Sequence, residues 1–138
     1  MMGTVYAEIT LKNRGDVSDV NRGYMKEPEI RETTVRALVD TGAITLVISE
    51  TIRKKLGLVI EGLREATLAN DQKEICRVTE PVEVHWKERK TACPALVIPG
   101  EGDVLLGAIP LEDMDLIVNP AKQELAGAHG DKVVALIK

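Results

Sequence analysis

The chain has 138 residues, of which 44% are apolar and 29% charged, and its net charge is −4. This length and composition predict one globular domain and argue against disorder, while the acidic balance argues against a general nucleic-acid-binding protein, which usually presents a basic face. The chain has no Phe, one Trp and two Tyr, which predicts an aliphatic core and excludes an aromatic platform for single-stranded nucleic acid.

The first third of the chain predicts two strands separated by a long polar loop. Residues 4–11 alternate apolar and polar side chains, which is the pattern of a half-buried strand. Residues 13–28 are polar and contain two glycines, which indicates an excursion over the surface. Residues 29–39 are again extended in character and lead directly into residues 40–43, with the sequence Asp-Thr-Gly-Ala.

A helix is predicted immediately after this segment. Residues 46–48 form a short apolar run that is typical of a buried strand. Ser49 then has a side chain suited to cap a helix at its N-terminus, and Gly57 is suited to end one. We therefore expect a helix over residues 50–56.

The rest of the chain predicts further short strands. Two hairpin arms, residues 63–69 and 73–84, flank Asn70-Asp71-Gln72, and Asn and Asp tolerate the left-handed backbone of tight turns. Many short strands with no repeat point to an all-β barrel or sandwich. A charged turn is expected at 87–90, and a short helix from Pro110 to Met114. Further strands are expected over 92–98, 104–107, 116–118, 123–126 and 132–137.

Neither a membrane segment nor a metal site is expected. No stretch approaches the roughly 18–20 continuous apolar residues of a membrane span, and the N-terminus lacks the features of a signal peptide, so we expect a cytoplasmic protein. Cys76 and Cys93 are too few for a disulfide framework and are interpreted as reduced thiols in strands. A metal site that combines them with His85 and His129 would have none of the usual ligand spacings, so no metal or other cofactor is expected.

Asp40 is the candidate catalytic residue. It lies between two apolar runs, and a carboxylate in such a setting must be hydrogen-bonded, paired or protonated. Gly42 allows a sharp turn close to the carboxylate, and Thr41 supplies a hydroxyl that can brace the loop. The structural alternative is a turn aspartate whose side chain caps its own backbone.

The run from Leu38 to Ala43, Leu-Val-Asp-Thr-Gly-Ala, resembles the catalytic signature of aspartic proteases. Its single copy and the chain length resemble the retroviral, or retropepsin-like, type. Residues 66–78 fit the flap hairpin of that family, and Leu105-Leu106-Gly107 fits its second conserved element. Leu56-Gly57-Leu58 is similar to a run in the small bacterial and archaeal members. The resemblance covers roughly residues 4–120.

This resemblance implies a closed, all-β barrel with one or two short helices. It implies a single domain over 1–138, with a core of 1–118 and a C-terminal extension of 119–138. The extension carries apolar Val133, Val134, Leu136 and Ile137, which we expect to be buried, and we hypothesise that it helps to build a dimer interface.

The resemblance also implies an aspartic endopeptidase. Such catalysis needs two carboxylates that share one proton, and the sequence has one Asp-Thr-Gly and no Asp-Ser-Gly. The second Asp40 must then come from a second copy, so the implied enzyme is a homodimer that acts on a peptide or an unfolded protein, with no nucleic acid or membrane partner. The implied site residues are Asp40 as catalyst, Thr41, Gly42 and Ala43 as support of the loop, and Ile44, Leu68, Ala69, Asn70, Asp71, Gln72 and Leu106 as substrate-binding residues.

Two departures from the family pattern keep a second interpretation open. Ile44 and Ala108 occupy the positions of an acidic residue and an arginine that pair in retroviral members, so the dimer is held differently. The flap tip at residues 70–72 is not glycine-rich. The alternative function is therefore a non-catalytic or latent module that binds peptides and retains the protease fold.

Overall fold

The computed structural model describes residues 4–67, 70–135 and 137. These residues form a curled nine-stranded sheet, a separate two-stranded sheet and a few short helices, none of which is long and apolar enough to span a bilayer. In chain order the elements are β1 (Tyr6–Asn13), α1 (Arg14–Asn21), a 3-10 turn (Glu27–Glu29), β2 (Glu32–Val39), β3 (Leu46–Ser49), α2 (Glu50–Leu56), β4 (Ile60–Thr67), β5 (Lys73–Thr79), β6 (Val82–Trp86), β7 (Arg89–Cys93), β8 (Ala95–Ile98), β9 (Leu105–Leu106), α3 (Ala108–Asp113), β10 (Leu116–Asn119) and β11 (Glu124–Gly127).

The large sheet is a half-barrel that does not close. Its strand order is β4-β5-β8-β3-β9-β2-β1-β6-β7, so the outer strands β4 and β7 do not pair with each other in the described part of the chain. α3 packs against β7, while β4 projects as a mostly exposed arm of the β4–β5 hairpin. The all-β class is confirmed, but the expected closed barrel is wrong. The edge strand β7 is packed against α3, whereas the edge strand β4 lies in the exposed hairpin, so the two edges do not meet.

The core is aliphatic, as the composition predicts. The alternation in β1 is confirmed over Tyr6–Lys12, since Ala7, Ile9 and Leu11 are buried and the residues between them are not. The fully buried large side chains come from strands on both halves of the sheet, from the end of α2 and the segment after it, and from the residue that ends α3. They include Ile9, Leu11, Leu46, Ile48, Leu56, Leu58, Val82, Val84, Leu106 and Met114.

The helix over residues 50–56 is confirmed with both of its caps. Ser49 Oγ accepts a hydrogen bond from the Ile52 amide at 3.2 Å. Gly57 has a left-handed φ of 62°, and its amide donates to carbonyls of the last turn. Both ends are therefore specified by local sequence.

Residues 13–28 are not the loop that their polarity predicts. They contain α1 and the 3-10 turn, because polar side chains fasten this segment to distant residues. Asn13 Oδ1 caps α1 by accepting from the Asp16 amide at 3.0 Å, and Asn13 Nδ2 donates to the Leu56 carbonyl at 2.8 Å. Buried Asp16 accepts from the backbone amide, Nε and Nη2 of Arg31 at 2.9–3.0 Å.

Several boundaries in the second half also differ from prediction. The expected strand over 73–84 is split between β5 and β6 by Glu80-Pro81, and the strand over 92–98 is split by Pro94, which has no amide hydrogen to donate to a sheet. The predicted helix begins at Ala108 rather than at Pro110.

The end of the chain differs most from expectation. The strand predicted over 123–126 is confirmed as β11, which pairs with β10. Residues 133–135 form no strand, and Val133 and Ile137 are 54% and 94% exposed, so the expected strand and its burial are wrong for these residues of the single chain. Leu136 lies outside the described residues. The local apolar pattern predicts a strand here, but no strand of the described residues pairs with 133–135.

Arg89 also departs from prediction, because it is buried rather than part of a charged surface turn. Its guanidinium donates to the carbonyls of Met114 at 2.9 Å, Asp115 at 2.8 Å and Gly130. These bonds fasten the start of β7 to the segments on both sides of the β10–β11 hairpin.

Candidate active site

Asp40 lies at the end of β2, where a third strand fixes the backbone. β9 is inserted between β2 and β3: it pairs in parallel with β2 through Leu38–Leu105 and Val39–Leu106, and antiparallel with β3 through Leu105 and Val47. The Asp40 amide donates to the Leu106 carbonyl at 3.0 Å. The loop between β2 and β3 therefore begins at a position set by a strand about 65 residues further along the chain.

Residues after β9 clamp the other side of this loop. The amides of Ala108 and Ile109 donate to the carbonyls of Ala43 and Ile44, both at 2.8 Å. A Cβ on Gly107 would lie 2.3 Å from the Thr45 carbonyl oxygen and 2.6 Å from that of Ala43. Only glycine fits this approach of two backbones.

The Asp40 carboxylate is hydrogen-bonded but not deeply buried. Its Oδ1 accepts from the Gly42 amide at 2.9 Å, and the Asp40 carbonyl accepts from the Ala43 amide at 3.1 Å. The side-chain bond is one that any turn aspartate can make. The surroundings are more informative: Asp40 is half-buried, while Thr41 and Gly42 beside it are exposed on the surface. The loop thus presents a fixed carboxylate on an open face.

The β4–β5 hairpin has the form expected of a flap. Its strands pair from Ile60–Thr79 to Thr67–Lys73, with an irregularity near Gly62. At its tip, Asn70 Oδ1 accepts from the Gln72 amide at 3.1 Å, and Asp71 has a φ of 64°, which confirms the left-handed turn. Asn70, Asp71 and Gln72 are exposed. Leu68 and Ala69, predicted to bind substrate, lie outside the described residues.

The hairpin is tied to α2 by a charged cluster. Glu50 accepts from Arg53 Nε at 2.8 Å and from Arg77 of β5. The guanidinium of Arg53, and then that of Arg77, lowers the pKa of Glu50 to about 2. The carboxylate is therefore charged at neutral pH and connects the base of the hairpin to the helix that follows β3.

The two predicted apolar subsite residues have different surroundings. Ile44 is 67% exposed in the Asp40 loop, next to Ile109, which is 49% exposed and is joined to it by the backbone bond described above. Leu106 is fully buried, so its side chain belongs to the core of the single chain and only its backbone reaches the loop. Sequence reasoning did not select Ile109, although it directly follows Gly107-Ala108 in the predicted second element.

Cys76 and Cys93 are free and lie in strands, as the sequence predicts, and both are buried. Burial raises the pKa of both thiols, which disfavours the reactive thiolate. Neither cysteine is suited to act as a nucleophile.

Comparison with known families agrees with this architecture. A family model described as aspartyl protease matches residues 27–108, more than half of the chain, from the 3-10 turn to the first residue of α3. The matched segment includes the Asp40 loop, the β4–β5 hairpin and β9. The chain belongs to this retropepsin-like aspartyl protease family. No curated protein sequence shows a significant match to the chain.

Proposed function

We propose that the protein is an aspartic endopeptidase that acts as a homodimer, with one Asp40 from each copy in the catalytic dyad. The observation that carries this proposal is the Asp40 loop, which β9 and Gly107 hold rigidly while its carboxylate faces the open surface. Family membership supports the protease class. The single Asp-Thr-Gly in the sequence supports the second copy.

The chemistry requires both carboxylates at once. Two such groups about 3 Å apart cannot both ionise, so the pair holds one proton. The ionised member accepts a proton from water as the water attacks the scissile carbonyl, and the protonated member donates to the carbonyl oxygen. The Gly42 amide would keep each carboxylate oriented during this exchange.

The substrate we propose is an extended peptide or an unfolded protein segment. It would lie between the Asp40 loops and the β4–β5 hairpins, and would pair with backbone groups as an added strand. Thr41 would support the two loops across the symmetry axis. Ile44 and the hairpin tip at Asn70, Asp71 and Gln72 would contact the peptide; Leu106 is a weaker candidate because its side chain is buried.

The test is cleavage of labelled, unfolded casein by the wild type and Asp40→Asn between pH 3 and 7. Asparagine keeps the shape of the side chain and can still accept from the Gly42 amide, so the fold is retained. We expect cleavage to fall by about 10²–10⁴-fold, the range typical of a lost general acid or base.

Asp19→Asn is the matched control, because Asp19 is an exposed aspartate on α1, outside the Asp40 loop. It should cleave at the wild-type rate. Sedimentation of each sample establishes the oligomeric state. A wild-type dimer that cleaves nothing across this pH range would contradict the proposal and favour the non-catalytic peptide-binding module.

A further inference from the structure

Half of β1 is hydrogen-bonded to a strand on one side only, although β11 packs near it. β1 pairs with β2 along Tyr6–Lys12, but its pairing with β6 is confined to Thr10–Asn13. The stretch Tyr6–Ile9 therefore has an unpaired edge within the described part of the sheet. Edges of this kind can be completed by a strand from another chain.

A cavity of about 410 Å³ opens at this edge. It lies between Tyr6–Thr10 of β1 and the end of β6, and residues of β11 line its far side. Buried Ala7 and Leu125 and half-buried Trp86 supply the apolar part of its lining, and polar side chains supply the rest. A neighbouring cavity of about 530 Å³ shares Trp86 and Leu125. We call the two cavities and the Tyr6–Ile9 edge the Trp86 slot; neither cavity is lined by Asp40.

The charges around the Trp86 slot are mostly negative. Glu8 and Glu124 line the first cavity, and Glu88 and Asp131 line the second. Of the basic residues nearby, Arg89 is engaged with three carbonyls. Arg36 lies opposite Glu8 on β2, and its guanidinium is 4.0 Å from the centre of the Tyr6 ring. The ammonium of Lys87 lies 4.7 Å from the centre of the Trp86 ring, so this ring already holds a cation.

We propose that the Trp86 slot binds an extended polypeptide segment that carries a basic side chain. The segment would add to the Tyr6–Ile9 edge as a strand and be held by backbone hydrogen bonds. Because both strands rise about 3.3 Å per residue, the four-residue edge can pair with four residues of the added strand. The positive charge of its basic side chain would lie near the carboxylates of Glu8 and Glu124, and the apolar part of that side chain would pack against Trp86.

The fluorescence of Trp86 provides the test, because it is the only tryptophan in the chain. The Asp40→Asn protein is titrated with three peptides: acetyl-Val-Thr-Arg-Val-Thr-amide, its analogue with Glu for Arg, and the Arg peptide methylated on alternate backbone nitrogens. We expect a saturable change in emission with the first peptide, binding about fivefold weaker with the second, and none with the third. The readout does not involve cleavage, so it is independent of whether Asp40 is catalytic.

Charge variants give predictions of opposite sign. Glu8→Gln combined with Glu124→Gln should weaken binding of the Arg peptide about fivefold, whereas Lys87→Gln should strengthen it, because a competing cation is removed. Glu101→Gln is the control: Glu101 is exposed in the loop before β9 and lines neither cavity.

Four results would overturn the proposal. Equal binding of the methylated peptide would exclude strand addition, and equal binding of the Glu peptide would exclude charge recognition. An unchanged emission with every peptide up to millimolar concentration would mean that the slot takes no peptide. An emission that depends on protein concentration without peptide would assign the slot to a second copy of the chain.

Discussion

At the scale of single residues, Gly107 decides whether the Asp40 loop can form. The loop carbonyls of Ala43 and Thr45 approach Gly107 so closely that no side chain fits. The bonds from Ala108 and Ile109 to the loop depend on the same approach. The geometry of the Asp40 loop thus depends on a glycine that is 67 positions from Asp40 in sequence.

Gly107→Ala should therefore destabilise the protein and impair cleavage together. The added methyl group would push the loop away from α3, at a cost of about 1–3 kcal/mol, which is typical of overpacking. Urea unfolding measures the loss. Gly62→Ala is the control, because no atom lies within 4 Å of its added Cβ, and it should stay within about 0.5 kcal/mol of wild type. Equal effects of the two substitutions would contradict this account.

At the scale of elements, α1 is held by the buried side chain of Asp16. Asp16→Ala removes three acceptor contacts to Arg31 and should lower the free energy of unfolding by about 2 kcal/mol. Chemical denaturation provides the measurement. Asp19→Ala removes an exposed aspartate from the same helix and should have little effect. If both variants were equally stable, the helix would not depend on this pair.

The tie between α2 and the β4–β5 hairpin predicts a pH dependence. Because the pKa of Glu50 is lowered from 4.5 to about 2 in the folded protein, its contribution is complete above the unfolded value and is lost as the pH falls towards 2. The unfolding temperature of the wild type should exceed that of Glu50→Gln by a constant amount above pH 5. This difference should shrink between pH 4.5 and 2.

Thermal scans from pH 2 to 7 test this prediction, with Glu61→Gln as the control. Glu61 is exposed on β4, so its substitution should not produce the same convergence. A difference between wild type and Glu50→Gln that is independent of pH would show that the charge of Glu50 does not stabilise the fold.

At the scale of the whole molecule, the end of the chain is anchored, but three of its apolar side chains are exposed on the single chain. Asp115 Oδ2 accepts from the Val134 amide at 3.0 Å and lies 2.6 Å from Nδ1 of His129. Val133, Val134 and Ile137 are nevertheless 54%, 39% and 94% exposed. A second copy of the chain would provide the burial that these side chains lack, in keeping with the proposed dimer.

Serine substitution of Val133, Val134 and Ile137 together should weaken this dimer at least about tenfold, because the apolar area buried on association is lost. The backbone bond between Val134 and Asp115 is kept, so the monomer should remain folded. Sedimentation over a range of concentrations measures the effect. Tyr24→Ser changes an exposed side chain near α1 and serves as the control. If the dimer were equally stable after this substitution, the C-terminal extension would not be part of its interface.

The sequence by itself determined the features that depend on neighbouring residues. The caps at Ser49 and Gly57, the alternation in β1, the left-handed turn at Asp71 and the Asp-Thr-Gly loop are all visible within a few positions. In each case the local backbone preference and the fold agree. The family and the predicted catalytic aspartate followed from the same short runs.

Only the tertiary structure decided the features that depend on distant partners. α1 forms because Asn13 reaches Leu56 and Asp16 reaches Arg31, and the β10–β11 hairpin is anchored because Arg89 reaches Gly130. The insertion of β9 between β2 and β3 is likewise a long-range pairing, and which strands lie at the edges of the half-barrel depends on the same long-range pairings. A pattern in sequence records which face of a strand is apolar, but not which strand lies beside it, because pairing depends on backbone groups that all residues except proline share.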